Sequence, residues 1–442
     1  MNYSTNIKSL GDSFKKLILI FSFSCLLIWL GYFTPRQSFG QLISLYSALY
    51  VVYYFFVKIY KNPSEVIFLG VFFRLLLLFA VPALSDDFYR FVWDGRLLAN
   101  GINPYTILPA DFIKTVDFKN TVENNLIFGR LNSPNYYTVY PPLNQLIFAT
   151  SATLSKGSLF GNVIALRIFI LFAEISLLFI LMKNKYSDKF NFYSFNPLII
   201  IELTGNLHFE GVVMCFLVLA FFVGVKERKS LVFSSFLFAC AVCVKMLPLI
   251  FIPLIIKQLG WKKGIFYASM VGVFTALFFL PFLDRMLIEK LFSSVNLYFQ
   301  KFEFNASIYY LVRAVGFKIF GYNIIGSAGK IMAFLTFSGV VFISWKSKNL
   351  FVGALAILTL YFAMATTVHP WYVTNLLVIA ILTRFRYPII WSYTIFLSYK
   401  TYQTNLNQEN LWLVTLEYLL VIGMMFYEFK QWRNLFYDKS SQ

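Results

Sequence analysis

Eight apolar runs of about 17 to 25 residues, near positions 17–34, 41–57, 65–84, 162–182, 264–283, 323–344, 350–368 and 411–428, constrain this chain more than any other feature. A run of that length spans about 30 Å of hydrocarbon as a helix. A backbone in lipid must bond its own N–H and C=O groups, so the expected elements are helices. Shorter or interrupted runs lie near 143–156, 193–204, 208–225, 231–256, 373–383 and 387–398, which raises the expected number of crossings to about 11 to 13. With 59% hydrophobic and 13% charged residues, a soluble core of this size could not hide the apolar side chains. The expected fold class is an all-α polytopic integral membrane protein, with residues 1–442 forming a single transmembrane domain.

The net charge of +18 would suggest nucleic acid in a soluble protein, but here it reads as topology and no nucleic-acid partner is expected. Lysines and arginines cluster in short gaps between runs: Lys15 and Lys16, Lys58 and Lys61, Lys183 to Lys189, Lys226 to Lys229, Lys257 to Lys263, Lys346 and Lys348, Arg384 and Arg386, Lys430 and Arg433. Such clusters mark the cytoplasmic side and put both termini there. Counting from the N-terminus then places residues 85–142 outside. That stretch carries six acidic and five basic residues, so it lacks the basic bias of the inner gaps. The run at 143–155 is too short to cross at 1.5 Å per residue and is expected to re-enter or lie at the surface, which returns Lys183 to Lys189 to the inside. The first run has no small-residue cleavage site and is expected to stay as a helix.

Residues 85–105, SDDFYRFVWDGRLLANGINPY, concentrate the polar chemistry. Asp86 and Asp87 directly follow an apolar run, and one carboxylate there would suffice as a helix cap. Phe88, Phe91, Val92, Leu97 and Leu98 then form an amphipathic pattern, the mark of a helix lying on the membrane surface. Two adjacent aspartates, with Asp94 about two turns on and Arg90 and Arg96 interleaved, also fit a site where a carboxylate acts as base and guanidinium groups hold an anion. The Gly and Pro of GINPY (101–105) and YTVYPP (137–142) favour a folded loop.

The string D-D-x-Y-R-x-x-W-D-G-R, followed by G-I-N-P-Y and Y-P-P, resembles the first extracytoplasmic loop of bacterial mannosyltransferase-like members of glycosyltransferase superfamily C. It is more loosely similar to the eukaryotic enzyme that adds the first mannose to the glycosylphosphatidylinositol precursor. The resemblance implies a helix bundle of that superfamily, with residues 85–142 as its extracytoplasmic catalytic loop. It also implies a polyprenyl-phosphate-linked sugar as donor and an acidic residue of this loop, Asp86 or Asp87, as the catalytic carboxylate. Tyr140 of the Y-P-P joins the expected substrate contacts. The implied reaction is inverting transfer of a hexose, with mannose the leading candidate, to a glycan or glycolipid acceptor. The implied location is the bacterial inner membrane, with the site facing outward.

A phosphate leaving group needs positive charge or hydrogen-bond donors, for which Arg90, Arg96, Lys245, Arg313 and His369 are candidates. His208 and Glu210 lie in NPLIIIELTGNLHFEG (196–211), a run interrupted at Gly205 and expected to turn on the outer side. Lys245 interrupts a long apolar run, where it either forms the tip of a short hairpin facing the site or snorkels toward an interface. No cofactor is expected, and no metal, because the paired aspartates lack a clear third ligand. The competing function class is a transporter or flippase for a lipid-linked sugar, since intramembrane charges and broken spans also suit transport. No internal symmetry is visible in the sequence to favour it.

Overall fold

The computed structural model describes residues 3–115, 122–183, 189–224, 228–290, 293, 302–404 and 408–437. The helices needed below are α1 (Tyr3–Phe33), α2 (Phe39–Ile59), α3 (Pro63–Leu75), α4 (Asp87–Ala99), α5 (Pro109–Phe112), α6 (Val122–Gly129), α7 (Pro142–Leu154), α8 (Leu159–Met182), α9 (Phe190–Ser194), α10 (Glu210–Val223), α11 (Arg228–Val244), α12 (Ile252–Leu259) and α13 (Trp261–Phe279). Later helices are named by their residues. The described residues form no sheet, only an isolated bridge between Phe304 and Thr367. This is an all-α polytopic membrane architecture.

Six helices in the described residues are long and apolar enough to cross a membrane: Ser13–Phe33, Phe39–Ile59, Leu159–Met182, Trp261–Phe282, Ile325–Lys346 and Leu411–Glu428. The pair Ile199–Gly205 and Glu210–Val223, bent by 107°, adds a seventh if read as one broken span. The expected figure of about 11 to 13 is not reached by long helices, because several runs fold as short pieces. The run at 65–84 is the clearest case: α3 ends at Leu75 and the chain continues in turns, with Pro82 unable to extend a helix.

Two buried arginines explain how such breaks survive inside an apolar bundle. Arg167 of α8 is fully buried and donates to four carbonyls: Thr204 at 2.7 Å, Leu78 at 2.6 Å, Gly205 at 3.0 Å, and Ala80. Two of these belong to the unwound end of α3 and two to the π-helical segment Ile199–Gly205. In lipid each carbonyl left open would cost several kcal/mol, so one guanidinium closes both breaks. Arg74 of α3 pairs with Glu174 of α8 at 3.0 Å, both fully buried, and its remaining nitrogen reaches the carbonyls of Gly70 and Ser194. Tyr193 donates to the same carboxylate at 2.5 Å, which ties α9 into the knot.

These contacts make α3 and α8 antiparallel, since Arg74 meets Glu174 while the end of α3 meets Arg167, nearer the start of α8. Lys183 therefore falls at the end of the bundle where α3 begins, beside Lys58 and Lys61. Lys16 meets Glu65 at that end at 3.2 Å, and Lys189 reaches the Thr383 carbonyl, next to Arg384 and Arg386, at 3.1 Å. The basic residues Lys16, Lys58, Lys61, Lys183, Lys189, Arg384 and Arg386 thus gather at one end and α4 begins at the other. Lys185 and Lys226 lie outside the described residues. The 13-residue α7 packs along α4, with Gln145 near its start bonded to Asp94 and the Gly157 carbonyl just beyond its end bonded to Arg96, so it does not carry the chain across.

α4 departs from a simple surface helix. Phe88 and every residue from Arg90 to Leu97 are buried, because α6, α7 and α8 cover the face that the amphipathic pattern left polar. At Gly95 a methyl group would sit 2.4 Å from the Phe148 carbonyl of α7, so α4 and α7 cross in backbone contact there. Phe91, Phe148 and Phe209 pack together beside this crossing. The loop carrying the aspartates is fixed in turn: Leu84 donates its N–H to Asn206 at 3.2 Å, linking it to the broken span.

Candidate active site

A cavity of about 780 Å³ opens where the start of α4, the segments at 132–140, 302–304 and 367–372, and the loop before helix Leu411–Tyr437 converge. Asp86 and Asp87 both line it, at the start of α4. Asp86 is ion-paired with Arg36. Asp87 accepts from Asn132 Nδ2 at 2.7 Å, and its own N–H donates to Ser85 Oγ at 3.3 Å. Burial pushes the Asp87 carboxyl above its ordinary range, opposed by the Asn132 hydrogen bond and by the charge of Lys245. An aspartate held this way can bind a proton nearer neutral pH than a solvated one.

Of the other expected site residues, Arg90, Tyr140, His369 and Arg313 also line the cavity. Arg90 uses Nε and Nη1 on structure, Nε on Asp94 at 2.8 Å and Nη1 on the carbonyls of Ser133 and Tyr136 at 2.9 Å each, while its Nη2 is buried without a partner. It clamps the loop that forms one cavity wall. Asp94 lies behind the wall, fully buried, and accepts also from Gln145 at 3.1 Å. Arg96 points away from the cavity, to Glu123 at 2.7 Å and to Asn124 and the Gly157 carbonyl at 2.6 Å each. The Tyr140 carbonyl accepts from Tyr105 at 2.7 Å, joining GINPY to YTVYPP.

His208, Glu210 and Lys245 form a layer beneath the cavity rather than part of its lining. Lys245, at the break between α11 and the turn Leu247–Phe251, is ion-paired with Glu210 and lies 5.6 Å from the Tyr372 ring. It thus sits at a helix break, beneath the cavity rather than in its lining. His208 stacks on Trp371 at 3.8 Å, and Trp371 stacks on His369 at 4.4 Å. Burial, reinforced by Lys245, pushes His369 down to about 3, so it meets a ligand as a neutral hydrogen-bonding ring rather than as a cation. Its Nδ1 is buried without a partner.

Several lining residues carried no motif. Arg36, in the short connection between α1 and α2, rests over the Tyr402 ring at 4.8 Å. Glu303 accepts from Tyr309 at 2.6 Å and pairs with Arg313. Glu409 accepts the Asn305 N–H, and burial pushes it up to about 7. An arginine in the short connection between the first two spans, away from the clustered basic gaps, was the one available signal for Arg36. Asn305 is buried and its side chain donates to Glu417 at 3.1 Å.

Residues 26–260 match a family described as alpha-(1->6)-mannopyranosyltransferase, N-terminal domain. The chain is 22% identical over 218 residues to alpha-(1->6)-mannopyranosyltransferase B of Corynebacterium glutamicum, covering 45% of this chain and 35% of that protein. The match thus spans about a third of the length of that relative. No solved structure matches. The matched region contains both aspartates, the clamp at Arg90, the broken span and Lys245, and it takes in more than half of the sequence: this chain belongs to the alpha-(1->6)-mannopyranosyltransferase family.

Proposed function

We propose that the chain is a membrane glycosyltransferase that moves a mannosyl group from a polyprenyl phosphate to a glycan or glycolipid acceptor, with Asp87 as the base. The observation that carries this is the position of Asp86 and Asp87, at the start of α4 in the wall of the large cavity. Family membership and the name of the relative support mannose as the sugar. The positive-inside rule supports assigning the end of the bundle opposite the basic gaps to the extracytoplasmic side, and in this reading the cavity meets lipid-linked sugars presented in the outer leaflet.

In the proposed step the acceptor hydroxyl oxygen attacks the anomeric carbon while its proton passes to the Asp87 carboxylate. The bond from the anomeric carbon to the phosphate oxygen breaks, and its electron pair leaves with the polyprenyl phosphate. A single displacement inverts the anomeric centre, so a β-linked donor gives an α-linked product. Asn132 orients the carboxylate, and the loop held by Arg90 shapes the wall against which the sugar lies. His369 is placed to hydrogen-bond a sugar hydroxyl.

The test is transfer by the purified protein from decaprenyl phosphomannose and, separately, from a nucleotide-linked mannose, to a mannoside acceptor. The proposal expects product from the lipid donor alone, with inverted configuration by NMR. Product from the nucleotide donor would overturn the donor class. Movement of lipid-linked sugar across vesicles with no covalent product would indicate a transporter instead.

A further inference from the structure

Among the described residues, the arginines and lysine in and under the cavity, Arg36, Arg90, Arg313 and Lys245, are each paired with a carboxylate. The one donor left over on Arg90, Nη2, is buried, so a donor phosphate that takes one of these cations does so by exchange. Arg90 cannot move without releasing the loop at Ser133–Tyr136, and both it and Asp94 are buried, with side chains 3% and 1% exposed. Lys245 is held by Glu210, whose side chain is 2% exposed and belongs to the layer beneath. The Arg313–Glu303 pair lines the cavity with side chains 24% and 16% exposed, but Glu303 is held as well by Tyr309 and Asn323. The Arg36–Asp86 pair also lines it, with side chains 24% and 32% exposed, and Asp86 adjoins Asp87. Arg36 also sits close enough to Asp87 for its charge to act on that carboxylate. A phosphate held there would set an attached sugar beside the base.

We infer that Arg36 is the ligand for the donor's phosphate and that Asp86 holds it until that phosphate arrives. The inference rests on the polyprenyl-phosphate donor proposed above. The guanidinium lies over the Tyr402 ring, which supports its flat face and leaves its N–H edge for an anion. That edge matches the two oxygens of a phosphate as well as those of a carboxylate. The exchange replaces one monoanion by another, since a phosphodiester donor carries a single negative charge. As the sugar departs, the phosphate becomes a monoester and gains charge. The attraction to Arg36 then grows along the reaction, which acts on kcat as well as on KM.

The experiment measures binding of decaprenyl monophosphate to the full-length protein in detergent, with no acceptor and no transfer. If Asp86 competes for Arg36, Asp86→Asn tightens binding about tenfold, the size of one charge-assisted contact. Arg36→Gln weakens it by about as much, and Asp86→Asn combined with Arg36→Gln binds as weakly as Arg36→Gln alone. A gain in affinity cannot arise from misfolding, which keeps the test open even if Arg36→Gln is unstable. Arg36→Lys, which keeps the charge and loses the fork, should fall between wild type and Arg36→Gln. Tightening that persists without Arg36, or no tightening in Asp86→Asn, overturns the assignment while leaving the donor class intact. Failure of every variant and of wild type to bind the lipid phosphate, or binding matched by inorganic phosphate alone, removes the donor class and this inference with it.

Discussion

Arg167→Lys is the sharpest probe of how the site is held, because it keeps the buried charge and removes only the fork. The guanidinium serves four carbonyls on two separate breaks, at Leu78 and Ala80 and at Thr204 and Gly205. An ammonium offers three donors from one point, so at least one carbonyl goes unserved. Charge-assisted hydrogen bonds contribute about 1.5–3 kcal/mol each, which sets the loss at about 2 to 6 kcal/mol for one or two lost bonds. The assay is thermal unfolding in mild detergent, read beside transfer activity at low temperature. A melting point several degrees below wild type is expected. The break also sets Leu84 through Asn206, so kcat should fall about tenfold or more as the aspartates lose registration. A variant with wild-type melting point and kcat would refute the claim that this arginine closes the breaks.

Three further outcomes follow from the same structure. The base must be ionised, and burial raises its proton affinity, so kcat/KM should fall on acidification at a pH above the ordinary aspartate value of about 3.9. Asn132→Ala, which deletes a contact that lowers the Asp87 pKa, should move that limb to higher pH; an unmoved limb would count against Asp87. Glu174→Gln leaves Arg74 without its carboxylate in a fully buried pair and should cost about 3–5 kcal/mol in the same unfolding assay. An unchanged midpoint would mean that the pair holds nothing together. Thr115, exposed in the loop beyond α5, should react as Thr115→Cys with an impermeant thiol reagent in intact cells, and protection there would reverse the orientation.

The general architecture was legible because its physical causes are local. Apolar run length gave the class, and the shortness of the run at 143–155 anticipated the 13-residue α7. The loop at residues 85–105 was found because two carboxylates after an apolar run are costly unless used. What was hidden depended on distant partners. Arg90 and Asp94 looked like paired site groups, yet their four-residue spacing lets them satisfy each other on one helix face. Arg36 meets Asp86 across 50 residues, which no local pattern records. The overcount of long spans has a physical source too: Arg74, Arg167 and Glu174 sit inside runs read as uniform membrane helices, and a charge in such a run signals burial against a partner. The partner can be backbone, as at Arg167, and a backbone partner implies that some neighbouring helix has broken.

The central claim, that Asp87 takes the acceptor's proton, is tested most directly by steady-state transfer from the lipid-linked donor with Asp87→Asn, alongside Asp86→Asn as the neighbouring control. The account predicts that Asp87→Asn lowers kcat by about 10²–10⁴-fold with donor binding retained, and that Asp86→Asn loses less. Wild-type turnover in Asp87→Asn would contradict it.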